Sequence, residues 1–236
     1  MNDIRIEEVD DLDCSVIAWD WPFERERAAD IEANWKRQIA EGRKLWNGRV
    51  LVARDPRIVT RDGRRVFTAD HFETSFAAFL AFRDLGFPDE RVKNCFAMAA
   101  LRAADGPFLL ARMGAHTANA GRIYFAAGTP DPGDVRGGTL DLAGSVMREL
   151  AEETGLTAAD VTQAPGYTLV FEGGRIACLK EVRTHADCRT TVERVAGFVA
   201  AEKDPEIDGL VPVHDERDLV PGAMPGFIMA YLRAKL

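Results

Sequence analysis

The chain has 236 residues, 47% of them hydrophobic and 29% charged, with a formal net charge of −8. That composition suits a globular protein with a substantial core, and its acidic balance argues against a nucleic-acid partner held by bulk electrostatics. No apolar run nears the roughly 20 residues needed to cross a bilayer, and residues 1–4 lack the basic start of a secretory signal, so a cytoplasmic protein without a membrane partner is expected.

In chain order, residues 1–22 read as acidic and irregular. Phe23, Ile31, Trp35 and Ile39 fall at helical spacing among charges, which predicts a helix over 23–40. Asn47-Gly48 marks a turn before a strand at 50–53, and Asp62-Gly63 reads as a hairpin turn between strands at 58–60 and 66–68. An apolar helix over 74–85 ends at Gly86, with Pro88 close behind. A boundary near 88–92 divides an N-terminal α+β extension (1–92) from a second domain (93–236).

Residues 95–101 form a buried-strand candidate, followed by a turn at Asp105-Gly106 and strands at 108–112 and 123–125. A polar loop over 113–121 lies between the last two. The loop 128–140 leads to Asp141, which suits a helix N-cap, and Gly155 suits the left-handed stop of that helix. Strands at 167–171 and 176–182 flank Glu172-Gly173-Gly174-Arg175, which reads first as a hairpin turn and second as a substrate contact. Helices over 190–203 and 225–236 close the chain. Cys14, Cys95, Cys178 and Cys188 fit no zinc pattern and read as reduced thiols. His71, His185 and His214 are isolated and read as structural. Trp19, Trp21, Trp35 and Trp46 have the rings to stack a base, but packing in the N-terminal core is the stronger reading.

The most informative stretch is Arg148-Glu149-Leu150-Ala151-Glu152-Glu153-Thr154-Gly155-Leu156. On a helix its three glutamates fall within an arc of about 100°, while Ala143, Met147, Leu150 and Ala151 gather on the other side. Like charges this close repel, and a hard divalent cation that takes oxygen ligands is the natural neutraliser.

These nine residues match, without a gap, the second half of the Nudix box. Its first half resembles Gly128-Thr129-Pro130-Asp131-Pro132-Gly133-Asp134, with Asp134 where the family has Glu. Thirteen residues, 135–147, separate Asp134 from Arg148 where the family has seven, so an insertion over 135–140 is expected. That insertion argues against a role for Asp134. The resemblance to the Nudix hydrolase superfamily implies an α/β/α sandwich around a mixed sheet, and an enzyme that hydrolyses a nucleoside diphosphate linked to another moiety.

It further implies Mg2+ or Mn2+ held by Glu149, Glu152, Glu153 and the Gly128 carbonyl, with Arg148 orienting a glutamate. A later acid would serve as general base: Glu202 and Glu206 are candidates, with Glu193 behind them. His116, Asn119 and Arg122 are candidate phosphate or sugar donors. The run Leu45-Trp46-Asn47-Gly48-Arg49, with Ile31, Trp35 and residues 75–86, resembles the N-terminal extension of Nudix enzymes acting on UDP-sugars. UDP-glucose-like substrates therefore come first, then ADP-ribose, then coenzyme A derivatives. The alternative is a non-catalytic nucleotide-sugar sensor. A homodimer through the N-terminal region is a candidate assembly.

Overall fold

The computed structural model describes residues 4–43, 45–117 and 119–236. Residues 1–3, Lys44 and Ala118 lie outside the described residues, and with them the start of the acidic N-terminal stretch and one position of the loop 113–121.

Residues read as irregular at the start form two strands, β1 (Ile4–Val9) and β2 (Asp11–Ile17). Leu12, Cys14 and Val16 alternate with Asp11, Asp13 and Ser15, so one face enters the core while carboxylates stay wet. The high acid content hid a period of two. The helix expected over 23–40 is broken at Arg27 into α1 (Pro22–Glu26) and α2 (Ala28–Ala40). The strand expected at 50–53 is the start of a longer β3 (Arg49–Arg61), which passes a bulge between Arg54 and Arg57. At Asp62-Gly63, both with positive φ, β3 turns into β4 (Arg64–Ser75), as the hairpin reading required. Ser75 caps α3 (Phe76–Asp84) through the Ala78 N–H.

Next come β5 (Val92–Arg102), β6 (Phe108–Met113), β7 (Ile123–Tyr124), β8 (Val135–Arg136) and β9 (Thr139–Leu140). They are followed by α4 (Leu142–Thr154), β10 (Val161–Gln163), β11 (Tyr167–Glu172) and β12 (Arg175–Thr184). The chain continues with α5 (Cys188–Ala201), β13 (Ile207–Val213) and α6 (Gly226–Lys235). Strand β13 had no counterpart in the sequence reading, because Gly209 and Pro212 interrupt its pattern. It runs antiparallel along β6, with a register shift beside Gly209.

The strands form one mixed sheet in the order β1-β11-β12-β5-β3-β4-β2-β9-β8, with β6, β7, β10 and β13 branching from it. Strand β5 is parallel to β12 and buried on both faces. Its residues Cys95, Ala97, Ala99 and Leu101 point into a core shared with Leu142, Val146 and Leu150 of α4 and Val195 of α5. Met98 and Ala100 point the other way, into a core with Phe227, Ile228 and Tyr231 of α6. Helices thus cover both faces, which explains why β5 reads as a continuous apolar run. A third core gathers Trp21, Phe23, Phe72, Phe79 and Phe82 around α3.

Strand β1 pairs antiparallel with β11, Ile4 opposite Glu172 and Val9 opposite Tyr167, so the first described residues form an edge of the sheet that carries β12 and β5. Arg65 of β4 reaches the Glu8 carbonyl and the Glu7 carboxylate from the side. All four cysteines are free thiols. Among the described residues no helix is long and apolar enough to cross a membrane.

Candidate functional site

Helix α4 begins at Asp141, whose carboxylate accepts from the Gly144 N–H at 2.8 Å, and ends at Gly155 with φ 69°. Both ends follow the sequence reading. A Cβ at Gly155 would also overlap the Phe198 ring of α5, so this glycine lets the two helices close on each other. The buried stripe of α4 is Leu142, Val146 and Leu150, four residues apart, while Ala143 is exposed rather than turned to the core. This rotation sorts the three glutamates. Glu153 is buried at 5%, the Glu149 side chain is 12% exposed, and that of Glu152 is 59% exposed.

The loop after β7 lies directly against this helix. The Ala127 N–H donates to Glu153 Oε1 at 3.1 Å. A Cβ on Gly128 would overlap the Glu149 carboxylate, so a side chain here would displace that carboxylate from its present position. Further along, Pro132–Asp134 makes a 3-10 turn, and Asp134 is buried. Arg148 Nη2 donates to both Asp134 oxygens at 3.0 and 3.2 Å, and Nη1 lies 2.9 Å from Glu149 and 3.0 Å from Glu152.

The insertion, which counted against a role for Asp134, does not separate it from Arg148, and the reason is topological. Residues 135–140 are the hairpin β8–β9, turning at Gly137-Gly138 with φ 58° and 84°. The hairpin returns to its starting point, where the Asp141 N–H donates to the Asp134 carbonyl at 2.9 Å. Its tip docks on β2 through Val16 N–H to Gly138 O, and Thr139 pairs with Ser15. An insertion that leaves and rejoins at one point does not alter the register of what flanks it.

Electrostatics follow from burial. Desolvation pushes the Glu149 carboxyl up to about 7; Arg148 opposes this, and the charges of Glu152, Glu206 and Asp134 add to it. Desolvation likewise pushes Glu153 up to about 8, against the Ala127 N–H, with Glu149, Glu206 and Glu152 reinforcing it. Among the described residues Glu153 Oε2 is buried without a hydrogen-bond partner, an arrangement that costs free energy unless something fills it.

These glutamates border a cleft of ≈ 400 Å³ lined by Glu149, Glu152, Glu153, Glu202, Asp204 and Glu206, with Phe198 at its wall. An all-oxygen donor set with one orphaned buried carboxylate oxygen fits a hard cation such as Mg2+. As the side chains stand, no three acidic, His or Cys groups among the described residues converge closely enough to hold a metal ion. The Arg148 guanidinium spans Glu149 and Glu152 instead.

The other sequence candidates divide. Glu202 and Glu206 both border the acidic cleft, whereas Glu193 is exposed and paired with Arg189 at 2.8 Å. Asn119 and Arg122 line a second cavity, of ≈ 450 Å³. Asn119 Nδ2 donates to Tyr124 Oη at 3.0 Å, and Arg122 Nη1 to the Gly222 carbonyl at 2.8 Å. His116 is exposed and lines neither cavity. Trp19 and Trp21 pack against Phe72 in the third core, and Trp46 is 84% exposed.

This second cavity was largely missed from sequence. It adjoins Gly128 and takes Phe76, Phe79, Leu80 and Arg83 from α3, Asn94, Phe96 and Met98 from β5, and Arg175 from β12. The signals were the i, i+3, i+4, i+7 spacing on α3 and Arg175 beside the glycine turn, where substrate contact was the second reading.

No protein-family model matches this sequence, and no curated protein matches it. Solved structures to which the chain is similar include RenU, a Nudix hydrolase from M. smegmatis. It is 12% identical with a TM-score of 0.39, over 59% of this chain and 80% of that one. DR0079 from Deinococcus radiodurans is 18% identical with a TM-score of 0.43, over 62% of this chain and 83% of that one. A MutT protein from Methanosarcina mazei Go1 is 17% identical with a TM-score of 0.35, over 60% and 91% respectively.

Proposed function

We propose that the chain is a metal-dependent Nudix pyrophosphohydrolase, cleaving a nucleoside diphosphate linked to another moiety to a nucleoside monophosphate and a phosphorylated product. One observation carries this reading. The excursion of 135–140 closes on itself, so that Gly128, Asp134, Arg148, Glu149 and Glu153 come together as an uninterrupted box would bring them.

Glu149, Glu153, the more exposed Glu152 and the Gly128 carbonyl would hold Mg2+ or Mn2+. When bound, such a cation neutralises charge on the diphosphate oxygens and acidifies a water. Asp134, buried and held by the Asp131 N–H, fixes Arg148 by a two-oxygen contact, and Arg148 in turn sets the Glu149 carboxylate. Glu202 and Glu206 stand across the cleft as candidates to take a proton from the attacking water. Glu206 is the favoured one, because its charge is felt at both Glu149 and Glu153. The arginines of the second cavity supply positive charge for the diphosphate and for the group beyond it. A nucleotide sugar such as UDP-glucose is the first candidate substrate and ADP-ribose the second, with the aromatic rings of α3 and β5 available to stack a base.

The test is a panel of nucleoside diphosphate derivatives incubated with Mg2+ or Mn2+, read as phosphate released after phosphatase coupling. Multiple turnovers on at least one member, lost in Glu149→Gln, are expected. Tight binding of a nucleotide sugar with no product over many hours would replace the hydrolase by a sensor.

A further inference from the structure

The floor of the second cavity is the face of β5 that carries Asn94, Phe96 and Met98. On β12, parallel to it, Arg175 stands opposite Asn94, Ala177 opposite Phe96 and Leu179 opposite Met98. Arg175 therefore shares that face by the two-residue alternation of strands. Across the cavity, Arg83 is the last residue of the α3 stripe that begins at Phe76. With Arg43 and Arg122, four arginines line this cavity against one acid, Glu172, in a chain whose net charge is −8.

Arg175 has an unusual setting for a guanidinium. It is half-buried, and among the described residues it makes no hydrogen bond or ion pair; the Phe87 ring lies 5.4 Å from its Cζ. That ring is seated by Gly174, where a Cβ would overlap it. Desolvation holds the Arg175 guanidinium below its usual range; Glu172 counters this, and the nearby Arg83 charge adds to it. Arg83 is held by Asp84 at 3.1 Å and lines the same cavity, near enough for its charge to act on Arg175. Two like charges facing one space, one of them poorly solvated and without a partner, are relieved by an anion between them.

The position of this pair separates it from the carboxylate site. Ala126, just before the Gly128 loop, accepts from the Ala99 N–H at 3.1 Å, on the flank of β5 away from β12. Arg175 lies on the opposite flank beside Asn94. The five residue steps of strand from Asn94 to Ala99 span about 16 Å. A diphosphate held at Gly128 thus leaves room for its other half to extend toward Arg175.

We propose that Arg83 and Arg175 form a distal anion subsite, taking a second negatively charged group, a carboxylate or a phosphate, from the part of the substrate that lies beyond the diphosphate. This rests on the hydrolase reading only for which bond is cut. It refines the order of candidate substrates, favouring within each class the member that carries such a group, as UDP-glucuronate does over UDP-glucose, and it assigns Arg175 a bidentate contact to it.

Calorimetric titration in metal-free buffer tests the subsite apart from turnover. The ligands are two matched pairs: UDP-glucose with UDP-glucuronate, and dephospho-coenzyme A with coenzyme A. Wild-type protein is expected to bind the anionic member of at least one pair at least tenfold more tightly. Arg175→Gln and Arg83→Gln should each bring that ratio below threefold, whereas the surface control Arg189→Gln keeps it. Discrimination only in the first pair identifies a carboxylate group, and only in the second a phosphate. Equal affinities within both pairs, no binding of any member, or a ratio that survives Arg175→Gln would each overturn the subsite. An enzyme assay without product would remove the hydrolase reading and leave the binding ratio to be judged by itself.

Discussion

Two concave regions meet at Gly128, and they carry opposite charge. On one side six carboxylates border the cleft above α4; on the other, four arginines and several aromatic rings line the cavity floored by β5. The net charge of −8 describes neither. What a chain attracts is set by where its charges are gathered, and two small regions of opposite sign suit a reaction that brings together a cation and a polyanion. The acidic side is built on one helix, α4, and on the short segment 202–206 that follows α5. The basic side draws on α3, β5 and β12 and depends on the fold as a whole.

The hardest blow to the acidic side comes from its centre. Glu149→Gln should lower turnover roughly 100-fold with little change in thermal midpoint, and Gly128→Ala should do comparable damage by displacing the same carboxylate. Activity that persists in both would detach the glutamates from the chemistry. Asp134→Asn is expected to cost roughly tenfold to 100-fold in turnover or metal affinity, as loss of an outer partner usually does; wild-type kinetics would return Asp134 to a purely local role.

On the basic side, Arg122→Gln should raise KM roughly tenfold and lower kcat by a smaller factor. A pure kcat effect would place Arg122 with the reacting atoms instead. The two sides also differ in how pH acts on them. Glu149 and Glu153, pushed up to about 7 and 8, keep protons in the folded state that the unfolded chain has released above about 4.5. Without metal, stability therefore falls as pH rises across that window, and the loss is complete above about 8. On the proposed metal-dependent reading magnesium should offset the fall, because it would bind the deprotonated pair. Thermal melts with chelator and with magnesium from pH 5 to 9 would show it, and parallel curves would contradict it. The smallest effect expected is from Asp141→Ala, about 1 kcal/mol of stability from the lost cap, seen as a shift in denaturant midpoint with both charged regions intact.

The legibility of the chain followed the range of the interactions. Helix α4, its cap and its stop were readable because they rest on neighbours within four residues. The Asp62-Gly63 hairpin was readable because both turn residues need positive φ. Strands β1 and β2 were hidden because acidic residues masked a true alternation. Asp134 was misjudged because counting residues cannot tell a linear spacer from a hairpin that closes on itself. The arginine-lined cavity was out of reach: Arg83 and Arg175 are far apart in sequence, and only the tertiary arrangement of α3, β5 and β12 brings them to line one space.

The edge strand β1 carries a cost in time. It is synthesised before its partner β11, which follows about 160 residues later, and at ribosomal speeds that means roughly ten to thirty seconds of waiting. Until then Ile4 and Ile6 lack the strand they pair with. Its side-chain ties to Arg65, Thr168 and Lys235 reach into three separate parts of the chain. Closing this edge is then a late event in folding, and an interrupted translation product would display alternating apolar residues with nothing to cover them.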